Sequence, residues 1–230
     1  MVPPAAILMD IEGTTTPIAF VRDVLFPFAR DRLPGWLDAH GHEAAVAAEL
    51  AEVVRMVPGQ PALTTLLHWM DQDAKVTPLK ALQGMIWNAG YAEGVLLGAL
   101  YPDVAPCLRI WNTAGLRLFV YSSGSVEAQR LIFGHSVAGD LSGLFSGFFD
   151  TRVGGKRDPD SYGRLAIGMN LPPMEVLFLS DVEAELDAAA AAGLRTCQVV
   201  RAADGTEASI RHKIAADFPA VAQRMGLPGG

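Results

Sequence analysis

Ala5-Ala6-Ile7-Leu8-Met9-Asp10-Ile11-Glu12-Gly13-Thr14-Thr15-Thr16-Pro17 carries the reading on which the fold turns. Five apolar residues, the composition of a buried strand, stop at an acid. A second acid follows two positions later, then a glycine, three threonines and a proline, which together compose a loop. A strand that delivers two carboxylates into a glycine-loosened loop resembles the edge of a site more than a core element. Turn chemistry alone also closes strands with Asp and Gly. The question is therefore what partners the rest of the chain brings to these acids.

Downstream, the next eighty residues show helical spacing and no strand. Phe20 to Gly41 reads as a helix interrupted at Pro27 and Pro34. Glu43 to Val57 places Val46, Leu50, Val53, Val54 and Val57 on one face. Pro61 to Ala74 and Pro78 to Gly94 each open with a proline, which the first helical turn tolerates. A segment this long is a helical subdomain rather than a loop.

From Tyr101 strands and helices alternate. Strands are predicted at Leu116–Ser122, Phe145–Thr151, Glu175–Asp181 and Arg195–Arg201. Between and after them, helices are predicted at Pro106–Gly115, Ser125–Ser136 (with Ser125 as N-cap), Asp158–Asn170, Val182–Gly193 and about Glu207–Met225. The closing LPGG looks disordered. This alternation implies parallel strands joined by right-handed crossovers. The expected fold is α/β: a parallel-sheet core of residues 1–17 and 101–230, with a helical subdomain, 18–100, inserted after the first strand.

Composition narrows the function. Half of the 230 residues are hydrophobic and 19% are charged, so the chain builds a core. A net charge of −7 and scattered Lys and Arg exclude the basic stripe of a nucleic-acid binder and a polybasic membrane patch. No apolar run approaches the roughly 18 residues of a membrane helix, and no targeting segment opens the chain. Cys107 and Cys197, far apart and in apolar contexts, read as reduced thiols of a cytoplasmic protein.

In open α/β sheets ligands bind at the carboxyl ends of the strands. Three apolar strands here end in polar groups: the first at Asp10, the second at Ser122-Ser123-Gly124, the third at Asp181. Lys156 lies in the glycine-rich loop VGGKRDP between the last two. Each has an ordinary reading as well. The serines suit a turn and a cap, Lys156 suits a solvated loop, and Asp181 suits a helix N-cap. Glu183, Glu185 and Asp187 read as a charged helix start that complements the macrodipole. Taken together they fit poorly as ornaments. If Asp10, Glu12 and Asp181 converge, each pair at about 4 Å repels by ~4 kcal/mol at an effective dielectric near 20. Such a cluster calls for a cation, and oxygen-only ligands suit Mg²⁺. The Ser122 hydroxyl, the Ser123 amide and the Lys156 ammonium are donors suited to phosphate oxygens.

The ordered series D-x-E-G-T, strand-Ser, Lys, strand-Asp resembles the haloacid dehalogenase superfamily of phosphotransferases. Residues 10–30, 121–136 and 178–193 are most similar to its acireductone synthases, the bifunctional enolase-phosphatases of methionine salvage. Glu12 in place of the superfamily's commoner second Asp is typical of that branch. The resemblance implies a Rossmann-like core with a helical cap, one Mg²⁺ per chain, and an aspartyl-phosphate mechanism. It places Asp10 as nucleophile, Glu12 as acid/base, and Ser122, Ser123 and Lys156 on the phosphate. Asp10, Glu12 (main-chain carbonyl, with the side chain also assigned there) and Asp181 would hold the metal. The implied substrate is 2,3-diketo-5-methylthiopentyl-1-phosphate, taken up by a monomer, with Phe20, Phe26, Trp69, Met85 or Trp87 as candidates for its thioether end. A general phosphatase of the same superfamily and a catalytically silent scaffold are the alternatives. The presence of all four of Asp10, Glu12, Lys156 and Asp181 speaks against the second. His40 and His42 form H-x-H without a third ligand. Glu93 and Asp103 flank the expected junction between cap and core, and Arg109 reads as a surface charge.

Overall fold

The computed structural model describes residues 3–230. Its strands are β1 Ala6–Met9, β2 Arg117–Tyr121, β3 Phe145–Phe149, β4 Val176–Ser180, β5 Arg195–Val199 and β6 Lys213–Ala215. They form one sheet in the order β3-β2-β1-β4-β5-β6, parallel at every pairing. Every residue of β1 and β4 is buried, as parallel strands covered on both faces require. Met9 pairs with Val120 on one side and Leu179 on the other, so three strands end level. Strand order reverses direction at β1. The crevice at such a switch point is where this architecture binds ligands.

The helices are α1 Ile18–Phe20, α2 Phe26–His40, α3 Ala44–Met56, α4 Ala62–Asp71, α5 Thr77–Ala92, α6 Val104–Thr113, α7 Val126–Gly134, α8 Pro159–Met169, α9 Glu183–Ala191 and α10 Phe218–Met225. Period-two alternation puts Ala6 and Leu8 on one sheet face, where they cluster with Phe119, Phe178, Tyr162, Leu165 and Met169. The last three recur at helical spacing along α8. Truncating one of them, Leu165→Ala, costs roughly 2–5 kcal/mol.

The chain divides into two compact units, Met1–Ile18 with Gly98–Gly230, and Ala19–Leu97. The second has a core of its own: Ala29, Leu33, Val46, Val53, Leu66, Leu79, Leu82 and Ile86. Trp69, Met85 and Trp87 pack against this core, so these aromatic and thioether candidates double as structural residues. Val54, expected on the buried stripe, is 48% exposed because it falls one position off the Val46, Leu50, Val53 row.

Three elements differ from the sequence reading. The prolines do not interrupt α2. Pro27 sits in its first turn, just after a π-helical turn at Val21–Leu25 that widens the backbone where the ring meets the preceding carbonyls. Pro34 lies mid-helix, where it forfeits one hydrogen bond while buried Leu33 holds the helix in place. The terminal helix is shorter than expected: β6 comes first, and α10 starts at a proper signal, with Asp217 accepting the Ala220 N–H at 2.8 Å ahead of Pro219. The LPGG end is packed, with Leu227 buried and the Trp111 indole donating to the Pro228 carbonyl at 3.2 Å.

Candidate active site

Asp10 leaves the end of β1 only 4% exposed. Its main-chain N–H continues the sheet to the Leu179 carbonyl at 2.9 Å, and its Oδ1 accepts the Ile11 N–H at 2.7 Å. The loop then closes on itself. The Ile11 carbonyl accepts N–H groups from Thr14, Thr15 and Thr16 at 3.2, 2.9 and 2.9 Å, and the Thr15 hydroxyl donates to the Asp10 carbonyl at 3.2 Å. The turn needs a left-handed residue, and Gly13 supplies it at φ +71°. A Cβ at Gly13 would lie 2.4 Å from Asp181 Oδ2. Glycine is thus required twice, for backbone angle and for the approach of the second acid.

Asp181 follows β4 and is not the N-cap of α9; Val182 holds that position without a side-chain cap. Its N–H donates to the Thr14 hydroxyl at 3.0 Å. Burial first, then the charge of Asp10, raises the Asp181 carboxyl to about 6, against the pull of its own backbone hydrogen bond, Lys156 and Thr14.

Lys156 is no solvated loop residue. Its side chain is 10% exposed, with Nζ 2.7 Å from Asp10 Oδ1 and 2.7 Å from Glu185 Oε2. Its loop is tied down by two buried tyrosines: Tyr162 donates to the Lys156 carbonyl and Tyr121 to the Gly154 carbonyl, both at 2.7 Å. Burial alone would lower the ammonium's pKa. The charges of Asp10 and Glu185 outweigh it and hold the group protonated beyond the ordinary lysine range.

Glu185 is the site residue that sequence reasoning missed. It is 8% exposed, and its Oε2 accepts the Ser180 hydroxyl at 3.0 Å. Burial, then repulsion from Asp10, raises its carboxyl to about 7 against the pull of Lys156. Its neighbours Glu183 and Asp187 do form the charged surface expected, paired with Arg211 at 2.8 and 2.7 Å. The signal available in sequence was spacing within α9: Glu185 shares a face with Ala188 and Ala189, three and four residues on, and all three are buried.

At the end of β2, the Ser122 N–H donates to the Phe149 carbonyl at 3.2 Å, and the Ser122 hydroxyl accepts the Gly124 N–H at 3.4 Å. Ser125 caps α7 through the Ala128 N–H at 3.2 Å. Gln129, 1% exposed, clamps the loop from below by donating to the carbonyls of Gly124 and Phe149 at 2.9 and 2.8 Å. Asp10, Glu12, Ser122, Ser123, Lys156 and Asp181 all line one cavity of about 530 Å³, joined there by Glu185 and Arg157. His40 is elsewhere, its Nδ1 2.6 Å from Glu43 in the helical unit.

The donors suit a hard dication. Asp10 and Asp181 are carboxylates close enough to repel, and no His or Cys lines the cavity. Among the described residues no three acidic, His or Cys side chains are gathered as a ready metal group. Mg²⁺, which commonly keeps several waters, needs only one or two carboxylates and fits this set.

A six-stranded parallel sheet with a buried, lysine-paired aspartate at its switch point defines a class of hydrolases. The model of the haloacid dehalogenase-like hydrolases matches residues 4–193. Within that class the chain belongs to the enolase-phosphatase E1 family. It is 61% identical to Enolase-phosphatase E1 of Granulibacter bethesdensis over 99% of both chains. It is 57% identical to that of Acidiphilium cryptum, over 98% of this chain and 97% of the relative. Among solved structures, the UTR4 protein (Unknown transcript 4 protein) of Saccharomyces cerevisiae superposes with a TM-score of 0.79 at 30% identity, covering 94% of this chain and 98% of that one.

Proposed function

We propose that this hydrolase is an acireductone synthase: it enolises 2,3-diketo-5-methylthiopentyl-1-phosphate and then dephosphorylates the enol to 1,2-dihydroxy-3-keto-5-methylthiopentene. The observation that carries the reading is the buried Asp10–Lys156 pair facing Asp181, in a chain so similar to enolase-phosphatases. Ile11 N–H and Lys156 both engage Oδ1 of Asp10, which leaves Oδ2 as the attacking oxygen. Attack on phosphorus forms an aspartyl-phosphate and breaks the bond to the enol oxygen. Glu12, lining the cavity from the same loop, protonates that oxygen. It then takes a proton from the water that hydrolyses the acyl phosphate, which returns Asp10 and releases phosphate. Lys156, Ser122 and Ser123 bind the phosphoryl oxygens. Asp10, Asp181 and the Glu12 carbonyl would hold one Mg²⁺ per chain. When bound, the ion supplies charge neutralisation at the phosphoryl group and polarises a substrate carbonyl for enolisation.

The helical unit Ala19–Leu97, spliced into the chain directly after the nucleophile loop, is the cap of this reading. A cytoplasmic monomer acting on a small phosphorylated diketone completes it. No helix among the described residues is long and apolar enough to cross a membrane, and both cysteines are buried thiols. The test is incubation of the purified protein with the diketone phosphate and Mg²⁺. Release of phosphate together with acireductone is the expected result. Hydrolysis of ordinary sugar phosphates with no enol product would overturn it. Asp10→Asn, which preserves shape but removes the nucleophile, is expected to abolish phosphate release while leaving the circular dichroism unchanged.

A further inference from the structure

Arg201, just after β5, is 6% exposed and does not line the cavity. Its Nη2 and Nε donate to the Thr14 carbonyl at 2.9 and 3.3 Å. Nη1 and Nη2 also meet Asp103 Oδ1 and Oδ2, both at 3.0 Å, and Asp103 Oδ2 accepts the Phe218 N–H at 2.9 Å. The guanidinium stands 3.9 Å from the centroid of the Tyr101 ring. Tyr101 in turn donates its N–H to the Thr15 carbonyl at 3.1 Å and its hydroxyl to Asp204, whose Oδ2 also accepts the Ile18 N–H at 3.0 Å. Thr14 is therefore held twice: its carbonyl by Arg201, its hydroxyl by the Asp181 N–H.

A buried ion pair is a poor device for stability alone, since an apolar pair of the same shape does as well or better. What a guanidinium fork adds is direction. Here it is aimed at one main-chain carbonyl of the loop that carries Asp10 and Glu12. We infer that Arg201, seated by Asp103, is a positioning residue: through Thr14 it fixes Asp181 against Asp10, and so sets the affinity of the site for Mg²⁺. The inference rests on the assignment of Asp10 and Asp181 proposed above.

The experiment titrates Mg²⁺ alone into the substrate-free protein by calorimetry, with kcat, KM and thermal midpoint measured alongside. Arg201→Lys keeps the charge without the fork, Arg201→Ala leaves room for added guanidinium, and Asp103→Asn keeps shape should either fail to fold. The expected result is a Mg²⁺ Kd raised about tenfold or more in each folded variant, the scale for losing a group that orients a metal ligand, with kcat reduced. Guanidinium should restore part of both in Arg201→Ala. Folded variants that bind Mg²⁺ as tightly as the parent, or lose activity only in step with thermal stability, would overturn the positioning role. A parent protein that neither binds Mg²⁺ nor releases phosphate would instead overturn the functional reading, and this inference with it.

Discussion

Loss of Lys156 should be felt twice, because Asp10 and Glu185 each lie within 2.7 Å of its charge. Lys156→Ala is expected to lose roughly 10²–10³ in kcat, the scale of losing one oxyanion donor. Removing one member of a buried ion pair should also destabilise the fold by about 3–5 kcal/mol. Phosphate-release kinetics and thermal unfolding read the two effects separately. The raised carboxyls at Asp181 (about 6) and Glu185 (about 7) make a second prediction. Between the ordinary carboxylate range and these values the folded chain binds more protons than the unfolded one, so stability falls as pH rises through that window. Metal binding favours the ionised acids and opposes the fall. Calorimetric scans without Mg²⁺ should therefore give a lower midpoint near neutral pH than at about pH 5, with the gap narrowed by Mg²⁺ and by Asp181→Asn. A midpoint that climbs over the same range would contradict the assignment. Burial of these two acids thus costs the fold stability as they ionise.

Among the elements, the loop after β1 is the most constrained. Gly13→Ala would force a Cβ to 2.4 Å from Asp181 Oδ2 at a φ of +71°. It should destabilise by about 1–3 kcal/mol, as strained backbone does. Displacing Asp181 should also weaken Mg²⁺ binding about tenfold or more, which calorimetric titration would check. That loop was legible in the sequence because its strand is wholly apolar and its acids follow at once. The same held for β2 and β4, each apolar and each ending in a polar group. β6 was not legible: Lys213-Ile214-Ala215 is too short for any period to show, and only pairing with β5 makes it a strand. Glu185 was hidden between Glu183 and Asp187, two acids paired with Arg211, and spacing separates them only when the Ala188–Ala189 face of α9 is taken as the reference. The Arg201–Asp103 pair joins residues 98 positions apart, which no local pattern records.

At the scale of the molecule, the two units carry separate cores. Replacing residues 19–97 with a flexible Gly-Ser linker is therefore expected to leave a folded α/β core, detectable by dispersed amide resonances and a cooperative melt. If the helical unit serves as the cap, the shortened protein should lose more turnover on the diketone phosphate than on a small aryl phosphate; equal losses would argue against that role. The sheet order has one more consequence, in the time domain. β1 precedes the other five strands in the chain yet lies inside the sheet, where Ala6 pairs with both Arg117 and Val176. A ribosome adding about 5–20 residues per second takes on the order of 10–30 seconds to supply the second partner. Until β2 follows it, β1 is an apolar segment without a sheet partner, and the whole helical unit is made in the meantime. Substitutions that raise the hydrophobicity or β-propensity of residues 5–9 should therefore show first as lost soluble yield, before any change in the finished enzyme.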